Sequence, residues 1–332
     1  MKILWRIAVN TLIGLFLIWI WLKFVNLGEI GQILSKIELQ YLGLIFLMMF
    51  LSPAIRAVRL KFFLKPVKNL PIKDLIFLNG FATLLNFVIP LRAGEIAKGV
   101  YLQQNYDLPL GKAVIWIFLD RFIDFLVILF LISIFSFKII TNLPDNFIFI
   151  SSLLFIGTLT LTYLFIYKSG FLRKIFQFLS YLLIVGIIKI YFERFLNFLI
   201  ETFTLLKRKP GEMLLFIFLS VLAYGVDGAI WYYSFLSLGS LQNFGQMYFG
   251  QLLSALTYLI PAAPMYVGSA EASGLLILSG ILGIKPSLAS AMIILLHLLT
   301  AVFVIIFGLV SLYLLKLDLG LILKKALKRT EI

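Results

Sequence analysis

Long apolar runs recur along the chain, separated by shorter stretches that hold most of its basic residues. Six runs are long enough to cross roughly 30 Å of hydrocarbon as α-helices, which takes about 20 residues each. A membrane β-barrel would instead show alternating segments of about 10 residues. The pattern predicts an all-α polytopic membrane protein with six full spans, at about residues 4–24, 39–58, 112–136, 147–167, 212–236 and 287–315.

Two further apolar regions, 74–104 and 247–282, are broken near the middle by Pro and Gly. We call them the first and second interrupted regions. Pieces such as 74–89 and 93–104 give helices of about 18–24 Å, too short to cross alone. Two half-helices that form a re-entrant hairpin satisfy both facts, so we expect one hairpin in each region.

The composition excludes a soluble fold. Hydrophobic residues make up 62% of the 332 positions and charged residues 13%, about half the usual share. The chain has no cysteine and one histidine, which excludes disulfides, thiolate chemistry and a multi-histidine metal centre. We expect no metal and no cofactor. The first apolar run follows Lys2 and Arg6 without a small-residue cleavage site and is interpreted as a retained helix.

The formal net charge of +14 indicates orientation rather than a nucleic-acid partner. Lys and Arg concentrate in four clusters, within 2–6, 56–73, 168–209 and 316–329. If both hairpins return to the side from which they start, all four clusters fall on one face. The opposite connections carry only Lys36 and Lys138 as bases. Basic loops are typically cytoplasmic, so we expect a cell-membrane protein with both termini in the cytoplasm. Anionic lipid headgroups are the expected contacts of these loops.

Residues 169–210 do not fit the span pattern cleanly. Charged residues flank an apolar middle and recur beyond it at helical spacing. This mixture predicts an amphipathic helix on the cytoplasmic interface rather than a seventh span.

The two interrupted regions resemble each other and indicate an internal repeat. From Glu95 to Arg121 is 26 positions, as it is from Glu271 to His297. Upstream, Arg56 precedes Pro90 by 34 positions, and Asp227 precedes Pro261 by the same number. The predicted units are repeat 1 at about 4–136 and repeat 2 at about 147–315, within a single transmembrane domain over 1–332. Three crossings per unit would invert the second unit relative to the first, as in transporters whose broken helices surround a midplane site.

Ionisable side chains at membrane depth cost about 2.5–3.5 kcal/mol each, which suggests pairing or function. Arg92 follows Pro90, where restarting a helix leaves unpaired N–H groups that attract a phosphate. Glu95 and Glu271 can cap such N–H groups, pair with Arg92 or Arg121, or meet an amine on a substrate. The same residues can form either a functional cavity or a structural charge network. For Arg56 and Arg59 we expect contact with headgroups at the cytoplasmic side.

The order and spacing of three motifs resemble a known family. The motifs are Asn86-x3-Pro90-x-Arg92-x-Gly94-Glu95, Asp120-Arg121-x2-Asp124 and Pro261-x2-Pro264-x3-Gly268-x2-Glu271. Over roughly residues 4–315 the chain resembles the lysylphosphatidylglycerol synthetase transmembrane-region family, a lipid flippase fold. Members often have Glu-Arg in place of Asp120-Arg121 and Arg in place of His297. The 332 residues contain no counterpart of the soluble aminoacyl-transferring domain, so lipid lysylation is not expected of them.

The resemblance implies movement of a lipid between leaflets. The expected cargo is an anionic or aminoacylated phospholipid, or a polyprenyl-linked lipid. The predicted substrate-binding residues are Asn86, Arg92, Glu95, Asp120, Arg121, Asp124, Asp227, Pro261, Gly268, Glu271 and His297. The alternatives are a membrane-embedded transferase or glycolipid-pathway enzyme, and an assembly partner without a site, although no sequence signature of an enzyme is present. Candidate protein partners are a second copy of the chain and a separate lipid-modifying enzyme.

Overall fold

The computed structural model describes residues 2–65, 68–89, 93–108, 110–138, 145–181, 193, 210–257 and 263–317. Within these ranges all regular structure is helical, which confirms the all-α prediction for that part of the chain. The α-helices are α1 Lys2–Leu22, α2 Leu27–Leu34, α3 Gln40–Leu64, α4 Ile72–Val88, α5 Ala93–Tyr106, α6 Leu110–Lys138, α7 Asp145–Tyr167, α8 Ser169–Tyr181, α9 Pro210–Ser237, α10 Phe244–Thr257, α11 Ser269–Leu275 and α12 Pro286–Leu314.

Three helices in the described ranges are long and apolar enough to cross a membrane, namely Gln40–Leu64, Gly211–Ser237 and Pro286–Leu314. A fourth candidate arises if Thr11–Leu22 and Leu27–Leu34 count together, although the two are bent by 90°. Apolar side chains such as Leu47, Phe218 and Leu309 are exposed on these helices. An exposed apolar surface of this kind suits lipid rather than water.

Both interrupted regions are broken where the sequence indicates. In the first, α4 has 17 residues, Ile89 is extended, and α5 begins at Ala93 with 14 residues. In the second, α10 has 14 residues and is followed, after the break, by a 3₁₀ turn at Pro264–Tyr266, α11, and a π-helical segment at Leu276–Ile281. Each α-helical piece is shorter than the roughly 30 Å of hydrocarbon at 1.5 Å per residue.

Two glycines allow the broken segments to pack closely. A Cβ on Gly94 would fall on the carbonyl oxygen of Ala82, so α5 starts directly against α4. Gly268 has φ +83°, which favours glycine, and its missing Cβ leaves room for the carbonyl of Gly14 on α1. A Cβ on Gly14 would in turn lie 2.6 Å from the carbonyl oxygen of Val267. Helix α1 thus lies against the turn of the second interrupted region.

The remaining helices pack around the centre of the molecule. Helices α3 and α9 lie side by side, α4 packs on α12, and α10 packs on α6 and α9. Near the end of α1, the indole Nε1 of Trp21 donates to Ser290 Oγ of α12 at 3.2 Å, across 269 positions of sequence. The predicted interfacial segment 169–210 contains α8, in which Leu172 is buried and Phe178 is exposed. Most of its remainder lies outside the described residues, so that prediction stays open.

Candidate functional site

A cavity of about 510 Å³ lies between the two halves of the chain. Both interrupted regions contribute to its wall, as do α3, α6, α9 and α12. Seven of the residues singled out in the sequence line it: Arg56, Asn86, Glu95, Arg121, Asp124, Asp227 and His297. These positions span more than two thirds of the chain, and the fold brings them to one place. Their binding to a substrate remains a prediction.

The other predicted residues lie beside the cavity or outside the described ranges. Asp120 is buried next to Asp124, and Glu271 stands behind His297. Gly268 precedes α11. Arg92 and Pro261 fall among the residues that the structure does not describe.

Arg59 differs from its expected place at the membrane face. Its side chain is only 2% exposed, and its Nε lies 2.9 Å from Asp120 Oδ1. Its Nη2 donates to Asp124 Oδ2 at 2.9 Å, and Nη1 donates to Ser220 Oγ at 2.6 Å. Buried guanidinium groups persist when carboxylates and hydroxyls satisfy their donors. The expected contact of Arg59 with headgroups is therefore wrong, because three helices, α3, α6 and α9, enclose it.

Arg56 also turns inward, and it bridges α3 and α9. Its Nη2 donates to Asp227 Oδ2 at 2.6 Å, and its guanidinium stacks 5.1 Å from the ring centre of Tyr224. Ser52 lies between the partners: its hydroxyl donates to Asp227 Oδ1 at 2.6 Å and accepts from Arg56. Arg56 thus faces the cavity rather than the expected headgroups at the cytoplasmic side.

The first interrupted region presents a charged cluster to the cavity. The carboxylate of Glu95 lies 3.3 Å from Lys98 Nζ and 3.7 Å from Arg121 Nε. Arg121 also lies 3.4 Å from Asp124 through Nη1 and retains 31% exposure of its side chain. Of the alternatives for Glu95, the structure shows pairing with neighbouring bases. Arg121 is the partly exposed cation of this wall.

In the second interrupted region, Glu271 both caps a helix and pairs with a base. Its Oε2 accepts from the backbone N–H of Gly268 at 2.7 Å, which satisfies a free donor at the start of α11. Its Oε1 lies 2.6 Å from His297 Nδ1. The other ring nitrogen, Nε2, lies 2.8 Å from the carbonyl oxygen of Met265. His297 therefore connects α12 to the turn that precedes α11.

Asn86 has a structural task at the break. Its Oδ1 accepts from the backbone N–H of Gly94 at 2.8 Å, so it supplies a partner for a free donor at the start of α5. Its placement at the cavity wall leaves the predicted role in binding open.

Of the further polar residues that line the cavity, Gln251 and Asn79 were not predicted from the sequence. Gln251 is only 8% exposed, and its Oε1 has no hydrogen-bond partner among the described residues. Asn79 donates from Nδ2 to the carbonyl oxygen of Pro53 at 3.2 Å. Asn79, Thr83 and Asn86 follow i, i+4, i+7 spacing on α4, a polar stripe on one helix face that the sequence pattern contains. On α10, Gln251 and Ser254 also line the cavity, but two polar residues at i, i+3 spacing are a weaker signal.

The cavity combines charged and apolar walls. Opposite charges come from both halves, while Phe125, Trp231, Phe303 and Phe307 supply aromatic surface. Pockets of roughly 300–1,000 Å³ with a few convergent polar groups are typical of small-molecule sites. Such a site accommodates a polar group attached to an apolar body.

Comparison with known proteins gives one match. A family model described as "Lysylphosphatidylglycerol synthase TM region" matches residues 6–308. The searches of curated proteins and of solved structures yield no significant match.

Proposed function

Because the chain belongs to the lysylphosphatidylglycerol synthase transmembrane-region family, we propose that it moves an anionic or aminoacylated phospholipid, or a polyprenyl-linked lipid, between the leaflets of a membrane. The headgroup would occupy the cavity while the acyl chains stay in lipid. The observation that carries the proposal is one cavity with charged walls from both interrupted regions.

The inverted repeat is part of this proposal, and equivalent ion pairs support it. Glu95 pairs with Arg121, and Glu271 pairs with His297, each across 26 positions at equivalent places in the two halves. Arg56 and Asp227, which precede their prolines by the same 34 positions, pair with each other. Residues at equivalent positions of two repeats, such as Arg56 and Asp227, contact each other when both lie next to the pseudo-two-fold axis that relates the repeats. Six spans and two re-entrant hairpins are the arrangement that we propose around that axis.

Helix packing supports the same symmetry. Helix α4 of the first half packs on α12, and α10, its equivalent in the second half, packs on α6. Helices α6 and α12 are themselves equivalent, since each follows an interrupted region. Each interrupted region therefore packs against a long helix of the opposite half, so that rocking of the halves would change access to the cavity.

The balance of charges indicates which headgroup fits. Around the cavity, the described residues contribute five carboxylates, four guanidinium or ammonium groups, and the imidazole of His297 beside Glu271. The carboxylates are Glu95, Asp120, Asp124, Asp227 and Glu271, and the cations are Arg56, Arg59, Lys98 and Arg121. Such a balance provides no strong positive field for a purely anionic group. A headgroup that carries both a phosphate and an ammonium can pair with both signs. This favours an aminoacylated phospholipid over the other two classes.

The proposal is tested by reconstitution into vesicles. Fluorescent phosphatidylglycerol and its lysyl ester are placed in both leaflets, and a membrane-impermeant quencher reports how fast the inner label becomes accessible. We expect faster equilibration with the protein than without it, and a larger acceleration for the lysyl ester. Arg121→Ala should slow it about tenfold or more, since a lost charge-assisted hydrogen bond is worth about 1.5–3 kcal/mol.

Lys65→Ala is the matched control, because it removes an exposed base at the end of α3. This variant should transport as the unmodified protein does. If the protein accelerates neither lipid and Arg121→Ala changes nothing, lipid transport is not the function.

A further inference from the structure

Both ring nitrogens of His297 face oxygens. Nδ1 lies 2.6 Å from the Glu271 carboxylate, and Nε2 lies 2.8 Å from the Met265 carbonyl. A carbonyl oxygen only accepts hydrogen bonds, so Nε2 must carry a proton. A neutral imidazole would then present a bare Nδ1 lone pair to the carboxylate. At 2.6 Å that contact is attractive only when a proton lies between the two atoms.

The observed arrangement therefore holds one proton more than a neutral imidazole and a carboxylate would hold separately. The extra proton lies on Nδ1 and points at Oε1, which makes the two groups an imidazolium–carboxylate pair. The pair as a whole has no net charge, which suits apolar surroundings.

Loss of that proton would release a strained turn. Met265 and Tyr266 have φ values of 58° and 60°, in the left-handed region that side-chain-bearing residues rarely adopt. The contact of His297 Nε2 with the Met265 carbonyl attaches this turn to α12. The turn is attached to α11 separately, because Glu271 Oε2 accepts from the N–H of Gly268. A neutral imidazole has a single N–H and cannot donate to both oxygens. One contact must then open, so that either the turn or α11 loses its attachment to α12.

Among the charged groups around the cavity, we assign the exchangeable proton to the Glu271–His297 pair. Charged residues from the other helices that line the same cavity are Arg56, Glu95, Lys98, Arg121, Asp124 and Asp227. Each of them forms an ion pair with another member of that set. Helices α4 and α1 contribute the uncharged neighbours Phe87 and Gly14. His297 is the sole histidine of the sequence, and histidine is the side chain whose charge ordinarily changes between pH 5 and 8.

We propose that the Glu271–His297 pair is a proton-coupling site, at which one proton is bound and released in each cycle of lipid movement. Binding closes the second interrupted region against α12. Release to water leaves a carboxylate and a neutral imidazole and detaches the turn at Met265–Gly268, or α11 itself, from α12. The inference rests on the proposed lipid transport. It identifies a pH gradient as the energy source of that transport.

The transport arm of the test uses the vesicles described above, with equal or unequal pH on the two sides. We expect the transport rate of the unmodified protein to change by about fivefold or more between pH 6 and pH 8. An imposed pH gradient should drive net accumulation of the lipid in one leaflet. His297→Arg keeps a cation beside Glu271 but has no releasable proton, so neither effect should remain.

Two measurements apply even if a variant does not transport. Nitrogen NMR of the single histidine should show both ring nitrogens protonated at pH 6. Because the chain has no cysteine, Met265→Cys, at a position with 38% exposure, can report access to the turn by thiol labelling. Leu276→Cys, at a position with 66% exposure, corrects for the pH dependence of the thiol reaction. Corrected labelling of Met265→Cys should rise with pH, and His297→Arg should abolish the rise.

The outcomes separate the two proposals. Absence of lipid movement at every pH contradicts the proposed function. Lipid movement that neither depends on pH nor responds to a gradient, with a neutral His297 ring at pH 6, contradicts proton coupling and leaves transport intact.

Discussion

Replacing Arg59 by methionine should destabilise the protein strongly. The substitution keeps an unbranched side chain in place but removes the guanidinium that contacts Asp120, Asp124 and Ser220. Two buried carboxylates then lose their main partner. Breaking a buried ion pair by removing one member costs about 3–5 kcal/mol, because an uncompensated charge remains. The apparent melting temperature should fall by roughly 6–20 °C.

The assay is thermal unfolding of the purified protein in detergent, followed by loss of the monodisperse peak in size-exclusion chromatography. Lys65→Met is the control, since it also replaces a basic side chain by methionine, but at the exposed residue that directly follows α3. It should shift the melting temperature by no more than about 2 °C, in line with surface substitutions.

A charge-balanced variant tests the cause of the effect. Replacing Arg59 by Met together with Asp120→Asn and Asp124→Asn removes the unpaired charges as well as the guanidinium. We expect it to recover most of the lost stability, as occurs when a buried ionic cluster is replaced as a whole. If Arg59→Met alone melts within 2 °C of the unmodified protein, the cluster does not stabilise the fold and the reasoning is refuted.

Two further predictions concern packing and binding. Gly94→Ala should cost about 1–3 kcal/mol and lower the yield of folded protein, because its Cβ meets the carbonyl of Ala82, whereas Gly43→Ala, with open space around it, should not. Equal yields for these two alanine variants would contradict the close approach. Gln251→Leu should weaken binding of the fluorescent lysyl lipid by about 2–10-fold without loss of thermal stability, since its Oε1 has no partner within the described structure. Unchanged affinity with reduced stability would assign Gln251 to packing instead.

The positions of the helices were largely predictable, because the thickness of a bilayer and the conformation of proline both act locally. The breaks after α4 and after α10 fall at the predicted places for this reason. The end of α3 was predicted too early, at residue 58, whereas the helix continues to Leu64. Because Arg56 and Arg59 are charged and lie near the end of an apolar run, the sequence predicted contact with headgroups at the edge of the membrane. Their carboxylate partners lie on helices 61 to 171 positions away, which no local pattern reports.

Two of the charge pairs could be predicted from equal spacing in the sequence. Equal spacing of 26 positions marked Glu95 with Arg121 and Glu271 with His297 as equivalent, and both pairs form. The cavity residue Gln251 had no such counterpart and was missed. Contacts made by single backbone atoms, such as the Met265 carbonyl beside His297, also leave no trace in residue identities. Repetition in sequence therefore identified the paired charges but not the unpaired polar groups.

The contacts of α1 with the turn at Gly268 and with α12 constrain when the helices can assemble. Trp21 and its partner Ser290 are 269 positions apart, so the ribosome needs roughly 13–55 s to deliver the second after the first, at about 5–20 residues per second. During that interval α1 must wait in the bilayer without its final neighbour. A chain that terminates before the second half is made would expose the glycine-bearing face of α1 to lipid. Quality-control proteases in the membrane would then have an unpaired helix to recognise.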